Sequence, residues 1–357
     1  MAAFRNKENG SWYVQFRYTD WTGERKQKFK RGFATKREAQ EWERAFLMQK
    51  RADLQMEFGS FVELYIKDMQ PKLRVSTWIN KESIIKQKIL PYFAKRKMAE
   101  ITPKDILDWQ NEMRKLRNQR GEPYSDAYLR NLHTQINAIF SHAVKYYNLQ
   151  VNPVTKAGSM GSKDKREMQF WTKEEYLKFS EAMMDKPVSF YAFEVLYWCG
   201  LRQGELLALT PQDFDFQKNT LTIRKSYQRL QGKDVVTDPK TPKGKRTIQI
   251  PRFLSEEIQD YIQQSYGMKP DMRLFPITKY YLRREMQRGC QETGVKRIKI
   301  HGLRHSAVSL LIDMGFSALA IAERVGHEST EITYRYAHLF PDKQKEMAAQ
   351  LEIERGR

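Results

Sequence analysis

The sequence predicts a multidomain chain, mainly α-helical with small β-sheets. A three-stranded sheet backed by one helix comes first, then a helical domain, then a mostly α domain carrying a small antiparallel sheet. Three observations predict this. Aromatic and β-branched runs bounded by turn residues cluster before residue 34 and again near residues 220–250. Elsewhere apolar residues recur at the three- and four-residue spacing of helices. The length of 357 residues suits two or three domains of ordinary size.

Composition bounds the class. Hydrophobic residues make up 40% and charged residues 30%, a foldable composition rather than a disordered one. No apolar run of about 18 residues occurs, so no segment is expected to span a bilayer. Residues 1–10 lack the apolar stretch of a signal peptide. Two cysteines, Cys199 and Cys290, supply neither a disulfide framework nor a cysteine-based zinc site, and a reducing cytoplasm is the expected compartment. The 63 basic side chains exceed the 43 acidic ones, a net charge of +20, which points to a polyanionic partner. The excess is uneven: +14 lies in residues 1–163 and +6 in residues 164–357.

The elements follow in order. Residues 12–18 (Trp-Tyr-Val-Gln-Phe-Arg-Tyr) read as a strand, Thr22-Gly23 as a turn, and residues 26–30 as its partner. Thr35 with Glu38 forms a capping-box signature, and Ala39, Trp42 and Phe46 continue a helical stripe. One sheet face is expected to meet this helix and the other to carry Arg17, Lys26, Lys28 and Lys30 toward a DNA groove. Phe58, Phe61, Leu64 and Tyr65 begin a four-helix region. Its second helix runs over residues 76–90 and is expected to stop before Pro91. Thr102-Pro103 opens a third helix and Ser125 a fourth, whose His133 and His142 are read as ordinary helix residues. Residues 153–168, rich in Gly, Ser and Lys, read as a flexible linker. Beyond it, residues 191–199 form an apolar helix ending at Gly200. Residues 220–223 and 247–250 read as strands, residues 227–238 as part of a hairpin, and helices resume from residue 254.

Four short motifs lie in this last region. They are Gly200-Leu201-Arg202-Gln203-Gly204-Glu205, Pro239-Lys240-Thr241 before Lys245-Arg246-Thr247, His301-Gly302-Leu303-Arg304-His305, and Gly326-His327 followed by Tyr334-Arg335-Tyr336. Singly each has a plain reading as surface charge or core histidine. In this order, with three residues from His301 to Arg304 and nine from His327 to Tyr336, the chain resembles the tyrosine recombinases, the integrases of phages and conjugative transposons.

The resemblance implies a division of the chain: residues 1–55 as an arm-type DNA-binding domain, 56–152 as a core-binding domain, 153–168 as linker and 169–357 as the catalytic domain. It implies Tyr336 as the nucleophile, Lys240 as general acid at the tip of a strand, His301 as general base toward Tyr336, and His327 as a phosphate hydrogen-bond donor. Arg202 and Arg304 fit the non-bridging oxygens chemically, because guanidinium is always charged and forked. Glu205, one helical turn beyond Arg202, would orient the site. Tyr334 and His338 are given no chemistry, and His305 only a structural role. The expected partners are double-stranded DNA at core and arm sites, a homotetramer on that DNA, an excisionase and a host DNA-bending protein, with no membrane. The expected setting is the bacterial cytoplasm and nucleoid. The apolar face of residues 341–357, including Met347, Ala348 and Leu351, is expected to pack on a neighbouring protomer or on its own domain. No cofactor or metal is expected, because the histidines lack carboxylate or thiolate companions at ligand spacing. Two rival readings are a DNA-relaxing enzyme like the type IB topoisomerases and a non-catalytic DNA-binding protein of a mobile element. The paired front domains argue against the first and the intact motif set against the second.

Overall fold

The computed structural model describes residues 3–6, 10–19, 25–52, 56–161, 168–329, 336 and 352–355. The chain divides into two compact units, Met1–Lys165 and Arg166–Arg357.

The first unit opens with an antiparallel sheet in the order β1 (Ala3–Arg5), β2 (Trp12–Thr19), β3 (Arg25–Phe33), followed by α1 (Lys36–Ala52). Thr35 Oγ1 accepts the Glu38 amide at 3.1 Å and so caps α1, while the Glu38 carboxylate reaches back to the Ala34 amide at 3.0 Å, one residue before the N-cap. The two-residue period of β2 turns Val14, Phe16 and Tyr18 toward α1. Phe16 and Tyr18 meet Phe46 at ring distances of 5.6 and 5.4 Å, and Phe33 meets Trp42 at 5.8 Å. Phe33 reaches that side through a bulge. Trp12 pairs with Phe33 while Tyr13 pairs with Arg31, which leaves Gly32 unpaired at φ +96°. The extra residue reverses the alternation and buries Phe33.

The register corrects the reading of the free face. Directly paired residues share a face, and Lys26, Lys28 and Lys30 pair with Tyr18, Phe16 and Val14. The three lysines therefore lie on the α1 side. There the Lys28 ammonium sits 5.5 Å from the Phe46 ring and that of Lys30 4.7 Å from Trp42. The open face carries Arg17 instead with Tyr13, Gln15, Gln27, Phe29 and Arg31, and Phe4, Tyr13 and Phe29 form a ladder at 5.5 Å spacings. The expected Thr22-Gly23 turn lies outside the described residues.

The helical part comprises α2 (Phe58–Met69), α3 (Val75–Ile84), a π-turn (Ile85–Ile89), α4 (Leu90–Phe93), α5 (Pro103–Lys115), α6 (Asp126–Tyr147) and α7 (Pro153–Ala157). Phe58, Phe61, Tyr65, Ile85, Ile89, Trp109, Ile136 and Phe140 fill its core. Pro91 does not end the second helix as expected. The π-turn closes with the Leu90 amide bonded to the Ile85 carbonyl, and this wider turn precedes the proline ring, so the helix continues to Phe93. His142 stays structural: its Nε2 lies 2.8 Å from the Asp68 carboxylate, which also accepts the Tyr147 hydroxyl at 2.7 Å.

The linker expectation is corrected for residues 153–161. Val154 and Met160 are fully buried in the helical core. The Gly158 carbonyl accepts from Gln110 at 2.9 Å and the Gly161 carbonyl from Arg130 at 3.0 Å. Two apolar side chains four and ten residues past Gln150 outweigh the Gly/Ser composition around them. Residues 162–167 lie outside the described residues.

The second unit contains α8 (Lys173–Glu181), α9 (Pro187–Trp198), α10 (Gln203–Leu206), β4 (Phe214–Asp215), β5 (Thr220–Ile223), β6 (Ser226–Leu230), β7 (Lys233–Thr237), β8 (Arg246–Gln249), α11 (Arg252–Gln264), α12 (Lys279–Thr293), α13 (Gly302–Asp313) and α14 (Ala318–Val325). A sheet of order β4-β5-β8 and the separate hairpin β6-β7 are antiparallel. Left-handed Gln231 and Gly232 close the hairpin at φ 48° and 80°. Helix α9 is apolar nearly all round and forms the centre. Its Phe193, Val195 and Leu196 pack with Tyr176, Phe179, Leu254, Leu282 and Leu303. Its buried Glu194 is satisfied by the Tyr176 and Ser180 hydroxyls, each at 2.6 Å, and the Trp198 indole at 2.7 Å. Among the described residues no helix is long and apolar enough to cross a membrane. Residues 341–351 of the expected C-terminal helix, with Met347, Ala348 and Leu351, lie outside the described residues.

Candidate active site

The site is built where α9 ends, α10 begins, and α13 and α14 pack beside them. Gly200 takes φ +61° just past the end of α9, and a Cβ there would stand 3.2 Å from Val325. The turn aims the Gly200 carbonyl at Arg304, whose Nη1 donates to it at 2.9 Å. Two residues on, Arg202 occupies the N-cap position of α10. Its Nη1 meets Glu205 at 2.7 Å and its Nη2 donates to the Gly326 carbonyl at 2.8 Å. Gly326 ends α14 at φ +68°, where a Cβ would fall 2.7 Å from the Lys243 carbonyl. Only glycine fits that approach, and His327 follows directly.

Helix α13 presents three groups together. His301, Arg304 and His305 stand at i, i+3 and i+4, which share one helical face. The His301 and His305 rings meet edge to face at 4.9 Å. Arg304 is 2% exposed, and its second guanidinium nitrogen, Nη2, is buried without a hydrogen-bond partner among the described residues. Leaving such a donor unpaired costs about 1–3 kcal/mol, so an anion is what this position suits. Tyr336 is also 2% exposed, among Val308, Ile312, Ile321 and Val325. Its hydroxyl is hydrogen-bonded to His305 Nδ1.

The field is strongly positive. Burial, then Arg202, lowers the Arg304 guanidinium to about 9. Burial, then Arg304 and Arg202, lowers His301 and holds His327 down at about 3. Burial, then His301 and Arg304, lowers His305 to about 4. All three imidazoles are thus neutral at pH 7. Glu205 is the counter-charge. Burial pushes its carboxyl up, but Arg246 and Arg202 together hold it below its ordinary value.

Arg202, Glu205, His301, Arg304, His327 and Tyr336, all expected from the motifs, converge here. Lys240 stands on the loop after β7, three residues past Thr237, and is exposed rather than at a strand tip. Two members were missed. Arg246 is almost fully buried and donates to Glu205 Oε2 at 3.0 Å, the Arg324 carbonyl at 2.9 Å and the Gly244 carbonyl at 3.1 Å. It lies within the quoted Lys245-Arg246-Thr247 motif, but nothing local predicts a partner 41 positions away. His305, expected to be structural, is the imidazole on the Tyr336 hydroxyl, where the resemblance implied His301. The i, i+4 spacing from His301 was the available signal. Tyr334 and His338 lie outside the described residues. A groove of about 560 Å³ adjoins His301, lined by Gln203, Arg283, Arg297 and Lys299. Among the described residues no group of three His, Cys, Asp or Glu is placed to hold a metal ion.

A buried arginine beside a second, half-buried one, with neutral imidazoles and a docked tyrosine on a mostly helical domain, is a class of site suited to phosphoryl transfer. Comparison with known proteins specifies the class. The phage integrase family profile matches residues 169–343, a phage integrase N-terminal SAM-like domain matches 57–114, and an arm DNA-binding domain matches 4–50. The ICEBs1 integrase of Bacillus subtilis is 30% identical over 97% of this chain and 98% of its own length. A putative prophage phiRv2 integrase of Mycobacterium tuberculosis is 25% identical over 82% of this chain and 77% of its own. Among solved structures, a Tn1549 transposon integrase in complex with a circular intermediate DNA superposes with TM-score 0.67 at 19% identity. It covers 85% of this chain and 100% of that one. A lambda integrase tetramer bound to a Holliday junction gives 0.59 at 19% identity, covering 96% and 95%. The chain belongs to the phage integrase family: it is a tyrosine recombinase, an enzyme of site-specific DNA recombination.

Proposed function

We propose that this recombinase cleaves and rejoins DNA through a covalent bond between Tyr336 and a 3′-phosphate, integrating and excising a mobile element. The observation that carries this reading is the buried, unpartnered Nη2 of Arg304 inside the Arg202, His301 and His327 cluster beside Tyr336. A phosphodiester oxygen satisfies that donor and offsets the repulsion between the two arginines. The charge is greatest in the pentacoordinate state, so preorganised guanidinium groups favour it over the ground state.

The roles follow from chemistry and resemblance. Arg202 and Arg304 bind the non-bridging oxygens and His327 donates to one of them. Tyr336 oxygen forms the bond to phosphorus as the bond to the sugar 5′-oxygen breaks. Lys240, brought in by its loop, protonates that oxygen, and His301, the general base, takes up the proton that the Tyr336 hydroxyl gives up on attack. Glu205 and Arg246 keep Arg202 in place. The phosphotyrosine conserves the bond, so religation needs no ATP. The groove beside His301, with Arg283, Arg297 and Lys299, takes the flanking backbone. The open sheet face with Arg17 and Arg31 takes arm sites, and the helical domain takes core sites. A homotetramer, an excisionase and a host DNA-bending protein complete the assembly in the bacterial cytoplasm.

The test is a nicked suicide duplex carrying the attachment-site core recovered from the element–chromosome junction, resolved on a denaturing gel. A covalent adduct is expected with the intact chain and none with Tyr336→Phe. An adduct that survives the substitution places the nucleophile elsewhere. Relaxation of a supercoiled plasmid lacking that core would favour the topoisomerase-like reading.

A further inference from the structure

We infer that His305 positions the nucleophile: its Nδ1 fixes where the Tyr336 oxygen sits against the Arg304 end of the cluster. The inference rests on the reading of Tyr336 as nucleophile and goes beyond it, because the motif set gives His305 no part in the chemistry.

Three observations carry it. The Tyr336 ring is held on its flank by Val308 and Ile312, three and seven residues after His305 on α13, and by Ile321 and Val325 of α14. Those apolar contacts hold the plane of the ring but grip nothing polar. The hydroxyl is hydrogen-bonded to His305 Nδ1. His305 is itself held by its place in the first turn of α13 and by the edge-to-face contact with His301. Rigid helix, ring, and oxygen form one line of support, and the Tyr336 hydroxyl ends close enough to Arg304 to act on its charge. Burial and the neighbouring cations keep His305 neutral, so one ring nitrogen remains an acceptor for the tyrosine hydroxyl.

This matters because the Tyr336 oxygen must be in line with the departing sugar oxygen. Positioning errors of about 1 Å cost roughly 100-fold in rate. A hydrogen bond from the same helix that carries Arg304 ties the nucleophile to the phosphate-binding group by one rigid element.

The experiment compares His305→Ala, His305→Asn and His305→Phe in the full-length chain. It reads single-turnover cleavage of the nicked duplex described above, and binding of the same duplex by gel shift. The Asn side-chain oxygen stands near the place of Nδ1 and accepts a hydrogen bond but no proton at these pH values; Phe keeps the ring without the acceptor. His305→Ala and His305→Phe are expected to lower cleavage about 100-fold with binding retained, and His305→Asn to restore cleavage to within about tenfold of the starting chain. If His305→Ala loses DNA binding, the Phe and Asn pair carries the comparison. Wild-type rates in Ala or Phe overturn the inference, and so does an Asn variant as slow as Phe. Loss of the adduct in Tyr336→Phe, measured alongside, keeps the nucleophile reading standing in either of those cases. An adduct in Tyr336→Phe would instead remove the reading on which the inference rests.

Discussion

Arg304 shows how function is held against stability. Among the described residues its buried Nη2 has no partner, and the charges around it are Arg202 and Arg246 as well as Glu205. Replacing such a charge with an apolar side chain of similar volume is often neutral or stabilising. Arg304→Met is therefore expected to leave the melting temperature within a few degrees or raise it, while single-turnover cleavage falls at least ~100-fold. Calorimetry and the cleavage assay check the two halves. Arg246 is the opposite case. It shares buried Glu205 with Arg202 and donates to the Arg324 and Gly244 carbonyls, so its removal strips several buried contacts at once, at a cost of up to about 3–5 kcal/mol, that of a broken buried pair. Arg246→Ala should lower the melting transition of the second unit by many degrees, and a drop of under two degrees would contradict this account. The His301, Arg304 and His305 grouping is legible from spacing alone. Arg246 is not, because its partner lies on another element and sequence distance carries no trace of it.

The N-terminal sheet separates what composition can and cannot say. Strands, helix and its Thr35 cap were all legible, since period, turn residues and caps are local. The working face was not. The register of β2 against β3 placed Lys26, Lys28 and Lys30 over the aromatic side chains of α1 and left Arg17 and Arg31 on the open side. A basic side chain facing a helix can set its ammonium over an aromatic ring, as Lys28 and Lys30 do. Arg17→Ala and Arg31→Ala are each expected to reduce the salt slope of arm-site binding by about one. Lys30→Ala is expected to leave that slope nearly unchanged and to lower thermal stability slightly. Binding isotherms on element-end DNA at several salt concentrations distinguish them. Residues 153–161 make the same point: Gly and Ser suggest a loop, but Val154 and Met160 find a core to enter.

For the molecule as a whole, charge links folding, pH and DNA. The active-site histidines have depressed values in the folded chain, so the unfolded chain binds protons more readily. Their contribution to stability is present above the unfolded value near 6.5 and is lost as pH falls through the folded values, about 4 for His305 and about 3 for His327. The free protein should lose stability below about pH 6.5 for this reason. A bound phosphate opposes the positive field and raises these values again. Core-site binding should therefore take up protons and tighten as pH falls from 7 toward 6, measured by calorimetry in buffers of different ionisation enthalpy. Binding heats that are independent of the buffer would count against it. Removing residues 1–55 should spare core-site cleavage while impairing complete integration in a plasmid assay.

The sequence by itself determined most of the element types, the helix caps, the motif residues and the family, because these rest on local period, chain stiffness and fixed spacings. Tertiary structure alone decided which sheet face is open, that residues 153–161 are packed, that Arg246 supports Glu205, and that His305 meets Tyr336. Each of these depends on which surfaces find each other when apolar area is buried and buried charges are paired. That outcome belongs to the whole unit rather than to any stretch of the chain.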